Sequence, residues 1–311
     1  MRKILVTGGA GYIGSILTQQ LLTYNYDVTV IDDFRYKQNL NHLCYLDSFK
    51  LIKGDVRDES LMKQEMAKAD IIFPLAALVG APICKADPIG AESINKDAIF
   101  MMLRQKSKEQ IIIMPTTNSA YGSGDENNFC TEDSPLNPIS KYAIDKVNVE
   151  KELMQHENVI SYRLATVMGM SPRMRMDLLV NQFVYRAIHD RFIVLFEAHF
   201  KRNYIHVRDV AQAFLNGLVM FNKMKNQIYN VGLSEANLSK YELCMKIKNH
   251  VEDFNIVCAE VGSDPDKRNY IVSNEKIEKT GWNPYYTLDK SISELLKGLP
   301  TIKNTIHDNL I

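Results

Sequence analysis

Lys3-Ile4-Leu5-Val6-Thr7-Gly8-Gly9-Ala10-Gly11-Tyr12-Ile13-Gly14 is the stretch that decides the fold. An uninterrupted apolar run ends in Gly-Gly, and helical apolar spacing follows at Ile13, Ile16, Leu17 and Leu21. The run reads as a strand buried on both faces, the spacing as a helix over residues 12–22. Between them, Gly9, Gly11 and Gly14 satisfy G-x-G-x-x-G, and Gly8, Gly11 and Gly14 satisfy G-x-x-G-x-x-G. A turn without side chains lets backbone N–H groups approach a pyrophosphate, and the helix N-terminus adds unpaired donors and a positive dipole end. Glycines also serve ordinary turns. The strand–turn–helix context selects the phosphate-binding reading.

The same rhythm continues outward. Strands are expected at 27–31, 49–52, 71–75, 110–114 and 159–164, with helices over 95–108 and 140–156 and Ser140 as the cap of the second. Alternating β and α segments call for a doubly wound parallel sheet of Rossmann type, with helices on both faces. Beyond 170 the rhythm loosens. Helices are expected at 177–189, 209–221, 240–250 and 288–295, and extended segments at 192–196, 203–207, 227–231 and 255–261. The division that follows is a dinucleotide-binding domain over 1–170, with 204–235 returning to it. Residues 171–203 and 236–311 make a smaller α/β substrate lobe.

The second strand ends in Asp32-Asp33. A carboxylate there accepts both adenosine ribose hydroxyls and repels a 2′-phosphate, so NAD is expected over NADP. Arg35 is the counter-argument, since an arginine can partner a 2′-phosphate. Asp55-Val56, just after the third strand, is expected near the adenine, although Asp after Gly54 is also a common turn.

Tyr142 and Lys146 stand at i and i+4 and share a helix face. Spacing alone decides nothing, because Tyr286 and Lys290 show it too. Position separates the two pairs. Tyr142 follows the fifth strand and its loop, Pro115-Thr116-Thr117-Asn118-Ser119-Ala120-Tyr121-Gly122, and the carboxyl ends of parallel strands are where such sheets bind ligands.

Composition narrows the function classes. Lys and Arg total 37 and so do Asp and Glu, so no global charge favours nucleic acid or an anionic membrane surface. No apolar run approaches the roughly 20 residues of a membrane span. The apolar run at the N-terminus stops at Val6, too short for a signal peptide. The five cysteines are scattered, with no C-x-x-C pair. Neither a disulfide framework nor a zinc site is expected, and the reading is a cytoplasmic protein with reduced thiols. His199 and His206 lie on separate segments and are not expected to bind metal.

Taken together, Thr7–Gly14, Asp32, Gly54-Asp55-Val56, Leu75-Ala76-Ala77, Asn95, Thr116–Gly122, Tyr142–Lys146 and Arg202–Val207 resemble the extended short-chain dehydrogenase/reductases of the nucleotide-sugar epimerase/dehydratase group, in the order that family has them. The resemblance implies an NAD-dependent enzyme whose cofactor site includes Gly8, Gly11, Tyr12, Ile13, Gly14, Asp32, Asp55, Val56, Leu75, Ala76 and Ala77. It implies Tyr142 as general base in phenolate form, Lys146 on the nicotinamide ribose and Thr117 on the sugar hydroxyl. An ordinary phenol titrates near ~10. The Lys146 ammonium and the positive nicotinamide ring are expected to lower that value. A non-catalytic dinucleotide sensor on the same fold is the competing class, and the Tyr142–Lys146 pair argues against it.

In the family's 4,6-dehydratases an Asp-Glu pair follows the Thr and supplies acid and base. Here Asn118 and Ser119 stand there, and neither titrates near neutrality. Oxidation at a sugar carbon therefore remains, ending in a keto sugar as a 4-dehydrogenase or in hydride return as a 4-epimerase. Arg173, Arg175, Arg186, Arg191, Lys201, Arg202 and Arg208 form a local basic cluster suited to a diphosphate. By resemblance Arg202 contacts the diphosphate, and Arg268 in the segment 264–268 is a second clamp. Thr166 stands where the family often has Asn. The substrate set completes with Val79, Gly80, Asn118, Ser119, Arg175 and Leu178. Residues 78–82, 171–181, 195–210 and 264–274 resemble a narrower group of bacterial capsule and lipopolysaccharide enzymes. That group includes C4 dehydrogenases of GDP-linked heptose. The family default is a homodimer through helices 95–108 and 140–156, although Ile99, Met102 and Leu103 serve equally as intramolecular core.

Overall fold

The computed structural model describes residues 2–36, 39–123, 128–260 and 268–302. The chain runs through β1 (Lys3–Thr7), α1 (Tyr12–Thr23), β2 (Asp27–Asp32), β3 (Phe49–Lys53), α2 (Glu59–Met66) and β4 (Ile71–Pro74). Then come α3 (Ala81–Ala86), α4 (Pro88–Glu92), α5 (Ala98–Gln105), β5 (Ile111–Thr117), α6 (Lys141–Leu153), β6 (Val159–Leu164) and β7 (Thr166–Met168). The rest is α7 (Leu179–His189), β8 (Phe192–Leu195), β9 (Lys201–His206), α8 (Val207–Val219), α9 (Phe221–Met224), β10 (Gln227–Val231), β11 (Asn237–Ser239), α10 (Lys240–Lys248), β12 (Asn255–Cys258), α11 (Glu275–Glu278) and α12 (Leu288–Gly298).

Seven strands form one parallel sheet in the order β10-β6-β5-β4-β1-β2-β3. The expected Rossmann-type architecture is therefore the one observed. Its central strands are covered on both faces: Ile4, Leu5 and Val6, Ile71 to Phe73, and all of β6, Ser161 and Arg163 included, are buried. The strand order reverses between β1 and β4, which opens a crevice above their carboxyl ends. Beside this sheet, β11, β9 and β7 make a three-stranded sheet, and β12 pairs with β8. Residues 204–206 thus pair with β7 as the end of β9, while α8 and β10 carry the chain back to the edge of the large sheet.

Local chemistry sets the helix that was expected over 95–108. It begins earlier, where the Asp87 carboxylate accepts the Gly90 N–H at 2.8 Å and Pro88 takes the first helical position. It passes through a π-turn at Ser93–Asp97 and ends at Gln105, after which Lys106 turns extended. The π-turn points Asn95 inward, fully buried. Its Oδ1 accepts the Leu78 N–H at 2.8 Å and its Nδ2 donates to the Leu78 carbonyl at 2.9 Å. One side chain thus fixes the loop leaving β4. Ile99, Met102 and Leu103 belong to the intramolecular core. Ser140 caps α6 as expected, accepting the Ala143 N–H at 3.2 Å.

His206 is buried, as the packing reading expects. It stacks on Tyr286 at 4.1 Å and bonds Glu294 at 2.5 Å. No His, Cys, Asp and Glu group among the described residues is arranged to hold a metal, and no helix among them is long and apolar enough to cross a membrane. All five cysteines are free thiols.

Candidate active site

A cavity of about 300 Å³ lies over the crevice between β1 and β4. Its floor is the glycine turn. Gly8 has φ +68° and accepts the Gly11 N–H at 3.0 Å, and Gly11 precedes α1 with no side-chain cap on its donors. A Cβ at Gly14 would lie 2.2 Å from the Gly8 carbonyl, and one at Gly8 would lie 2.6 Å from the Ala76 nitrogen. Only glycine permits this closeness of turn, helix and β4 loop. The result is a bare patch of backbone donors at a helix N-terminus, which is an anion cradle. Gly8, Gly11, Tyr12, Ile13 and Gly14 all line the cavity, with Leu75, Ala76 and Ala77 opposite.

Asp32 closes one end. Its Oδ2 accepts the Ala10 N–H and its Oδ1 the Phe34 N–H, each at 2.9 Å. Burial pushes this carboxyl above its ordinary range, and the two backbone donors oppose that push. Each oxygen keeps lone pairs for a vicinal diol. Arg35 pairs with Asp33 at 3.1 Å, which occupies the cation that spoke for a 2′-phosphate. Asp55 and Val56 also line the cavity, and the Arg57 guanidinium holds the Asp55 carboxyl below its usual range. A glycine cradle, an aspartate with free lone pairs and an apolar wall between them fit NAD.

The other end holds the chemistry. Thr117 ends β5, Tyr142 and Lys146 lie on α6, and all three line the same cavity. Lys146 is 4% exposed; its Nζ donates to the Pro115 carbonyl at 3.4 Å. Burial lowers its ammonium to about 8. Tyr142 differs from the expectation. Burial raises its phenol to about 12, and the cations that oppose this are Arg175 and, after it, Arg268 rather than Lys146. Desolvating a phenolate outweighs those charges in the cofactor-free chain.

On the substrate side, Val79, Gly80, Ser119, Thr166, Arg175, Leu178 and Arg268 line the cavity. Asp264, Pro265, Asp266 and Lys267 of the second clamp lie outside the described residues. Two of the residues assigned to the substrate lie off this cavity. Arg202 is 2% exposed on β9, the middle strand of the three-stranded sheet, and does not line the cavity. Asn118 is fully buried behind the wall, with both amide atoms unpartnered. The basic cluster also disperses. Arg186 pairs with Asp190 at 3.2 Å and Arg208 with Glu294 at 2.5 Å, leaving Arg173 and Arg175 at the cavity. Arg175 is held by Asp177 and donates to the Val79 carbonyl at 3.3 Å.

Sequence reasoning missed what closes the cavity. Arg173 stacks over the Tyr36 ring at 3.9 Å, joining the loop after β2 to the segment after β7. Ser171 Oγ donates to the Tyr12 carbonyl at 2.7 Å, and the Tyr12 hydroxyl donates to the Gly169 carbonyl at 2.6 Å. Residues 169–178 are thereby strapped across the N-terminus of α1. The basic spacing of Arg173 and Arg175 was the available signal; Tyr36, on which Arg173 stacks, is distant in sequence.

The sequence pattern of the NAD dependent epimerase/dehydratase family matches residues 4–232, and the chain belongs to that family. It is 25% identical over 315 residues to UDP-glucose 4-epimerase of Corynebacterium glutamicum, covering 94% of each chain. It is 26% identical over 318 residues to dTDP-D-glucose 4,6-dehydratase of Homo sapiens, covering 95% of this chain and 89% of that one. The fold is shared with UDP-glucuronic acid 4-epimerase of Bacillus cereus, solved with UDP-glucuronic acid and NAD. The TM-score is 0.85 at 20% identity, over 97% of this chain and 100% of that one. This protein is an NAD-dependent enzyme of the nucleotide-sugar epimerase/dehydratase class.

Proposed function

We propose that the enzyme oxidises C4 of a nucleotide-linked hexose or heptose, acting as a 4-dehydrogenase, with a GDP-linked sugar as the favoured substrate. The observation that carries this reading is the convergence of Thr117, Tyr142 and Lys146 on the cavity that also holds the glycine turn and Asp32. The two positions after Thr117 hold no titratable acid, which argues against elimination of water. The sugar type and the base rest on the resemblance of residues 78–82, 171–181, 195–210 and 264–274. Residues 1–170 with 204–235 are taken as the cofactor lobe, and 171–203 with 236–311 as the substrate lobe.

When bound, NAD supplies the hydride acceptor and a positive charge. The chain's part is proton handling and alignment. Tyr142 Oη takes the proton of the sugar hydroxyl, and Arg175 and Arg268 favour its phenolate. Lys146 holds the ribose and adds its charge to the site. Thr117 orients the hydroxyl that loses its proton. Gly8, Gly11 and the α1 N-terminus hold the pyrophosphate, and Arg268 and Arg175 receive the substrate diphosphate.

The second reading is a 4-epimerase, which uses the same residues and returns the hydride to the other face. The UDP-glucose 4-epimerase relative favours it. Absorbance at the NADH band, with excess NAD and a panel of GDP-, UDP- and CDP-linked sugars including heptose, separates the two. A sustained rise identifies the dehydrogenase. A new stereoisomer by proton NMR without that rise identifies the epimerase. Neither signal with any sugar overturns both.

A homodimer in the cytoplasm is the expected setting. With Ile99, Met102 and Leu103 used internally, the pairing face would be the outer stripe of Lys96, Phe100, Asn148 and Lys151. A single monomeric species in sedimentation at micromolar concentration overturns the dimer.

A further inference from the structure

The two hydroxyls at the end of β5 are engaged with each other rather than with the cavity. Thr117 Oγ1 accepts the Ser119 N–H at 3.1 Å and donates its own proton to Ser119 Oγ at 3.0 Å. Ser119 Oγ also accepts a guanidinium N–H of Arg268. Both acceptor lone pairs of that oxygen are therefore taken, and the Thr117 proton is committed away from any sugar. Arg268 reaches Ser119 across the cavity. Its segment is held against the loop after β5 by the bridges Ser123 to Asn269 and Cys130 to Val272. Arg268 is also one of the charges that favours the Tyr142 phenolate.

We propose that Ser119 is a positioning residue that holds Arg268 and the Thr117 hydroxyl in a resting arrangement, released when a nucleoside diphosphate draws Arg268 away. The proposal rests on the nucleotide-sugar reading above and deepens it. A charge-assisted bond from a guanidinium to a phosphate oxygen is stronger than one to a neutral hydroxyl, so a diphosphate in the cavity wins the competition. Freed of the guanidinium, the Ser119 hydroxyl can turn and donate to the remaining lone pair of Thr117 Oγ1, which reverses the bond and leaves the Thr117 proton for the sugar. Binding energy from a remote, non-reacting part of the substrate is in this way converted into alignment at the reacting end. A serine at this position, in place of the family dehydratases' glutamate, makes the device available here.

Calorimetric titration of the NAD-loaded enzyme with UDP, GDP, CDP and dTDP tests it, on wild type, S119A, S119T, R268Q and the S119A/R268Q double variant. Removing the competing hydroxyl should tighten the diphosphate roughly tenfold in S119A, the worth of one charge-assisted bond. S119T, which keeps the hydroxyl, should bind like wild type. R268Q should bind more weakly, and adding S119A to it should change nothing further. In turnover, R268Q should raise KM, because the diphosphate loses its guanidinium. Unchanged affinity in S119A, or an equal shift with and without Arg268, overturns the proposal while leaving the nucleotide-sugar reading intact. Wild type that binds none of the four diphosphates overturns both.

Discussion

Glu150 and Arg163 form an ion pair directly beneath the catalytic wall, with 2.7 Å between Oε1 and Nη2 and 4% of each side chain exposed. Glu150 continues the helix stripe of Tyr142 and Lys146 at the next i+4 step. Its Oε2 also accepts Thr116 Oγ1 at 2.8 Å and Ser161 Oγ at 2.7 Å. Arg163 donates onward to the Tyr121 hydroxyl and the Glu132 carbonyl, each at 3.0 Å. One carboxylate thus ties α6 to β5 and β6, and so fixes where Tyr142 stands relative to Thr117.

Breaking that pair from one side should be costly. Arg163→Met leaves a buried carboxylate with hydroxyl donors only, and should lower unfolding free energy by about 3–5 kcal/mol. Glu150→Gln keeps the shape and should cost less. Urea denaturation read by circular dichroism checks both, and a loss under 1 kcal/mol for Arg163→Met, about the size of a surface pair, would show the network to be dispensable.

The glycine turn makes a sharper prediction for the cofactor. Gly14→Ala puts a methyl 2.2 Å from the Gly8 carbonyl, and that backbone atom has nowhere to retreat. NAD affinity should fall by more than about tenfold, whereas Tyr142→Phe should spare NAD binding and abolish turnover. Fluorescence titration with NAD measures the first effect and a turnover assay the second. Full affinity in Gly14→Ala would remove the turn from the binding site.

How much of this was legible beforehand follows from locality. β1, β6 and β10 sit at their predicted residues: β1 is the unbroken apolar run of a doubly buried strand, and the other two are short runs rich in β-branched and aromatic residues. α2 was missed because it is short and polar, announced only by the Asp58 cap. β7 and β11 were missed because three residues carry no period. At the site, the glycine turn, Asp32, Thr117, Tyr142 and Lys146 were readable because strand ends and helix spacing locate them. The Ser119–Arg268, Tyr36–Arg173 and Glu150–Arg163 contacts were not, since long-range pairing leaves no local pattern.

The thiols test burial independently of function. Cys44 and Cys258 are exposed, while Cys84, Cys130 and Cys244 are buried. Burial pushes the Cys84 thiol up to about 11 and that of Cys244 to about 12. Iodoacetamide at pH 8 should therefore label Cys44 and Cys258 quickly in the native protein, and the other three only after unfolding. Peptide mass spectrometry reads this directly. Fast native labelling of Cys84, whose Sγ donates to the Leu78 carbonyl at 3.3 Å, would mean that the β4 loop opens.

Lys146 gives the pH dependence its sign. Its pKa is about 8 in the folded, cofactor-free chain against an ordinary 10.5. Between those values the unfolded chain binds a proton that the folded chain has shed, so stability rises with pH across that window. Below about 8 both states are protonated and the cost of burying the ammonium is present in full, on the order of 3 kcal/mol. Lys146→Met removes the titration. The wild-type stability, measured relative to this variant by denaturation, should climb from pH 8 to pH 10. Tyr142 does not confound the comparison, because its phenol, raised from 10.0 to about 12, shifts stability only above the ordinary phenol value. A flat difference across the window would show that Lys146 keeps its ordinary pKa in the fold and that burial does not penalise its ammonium.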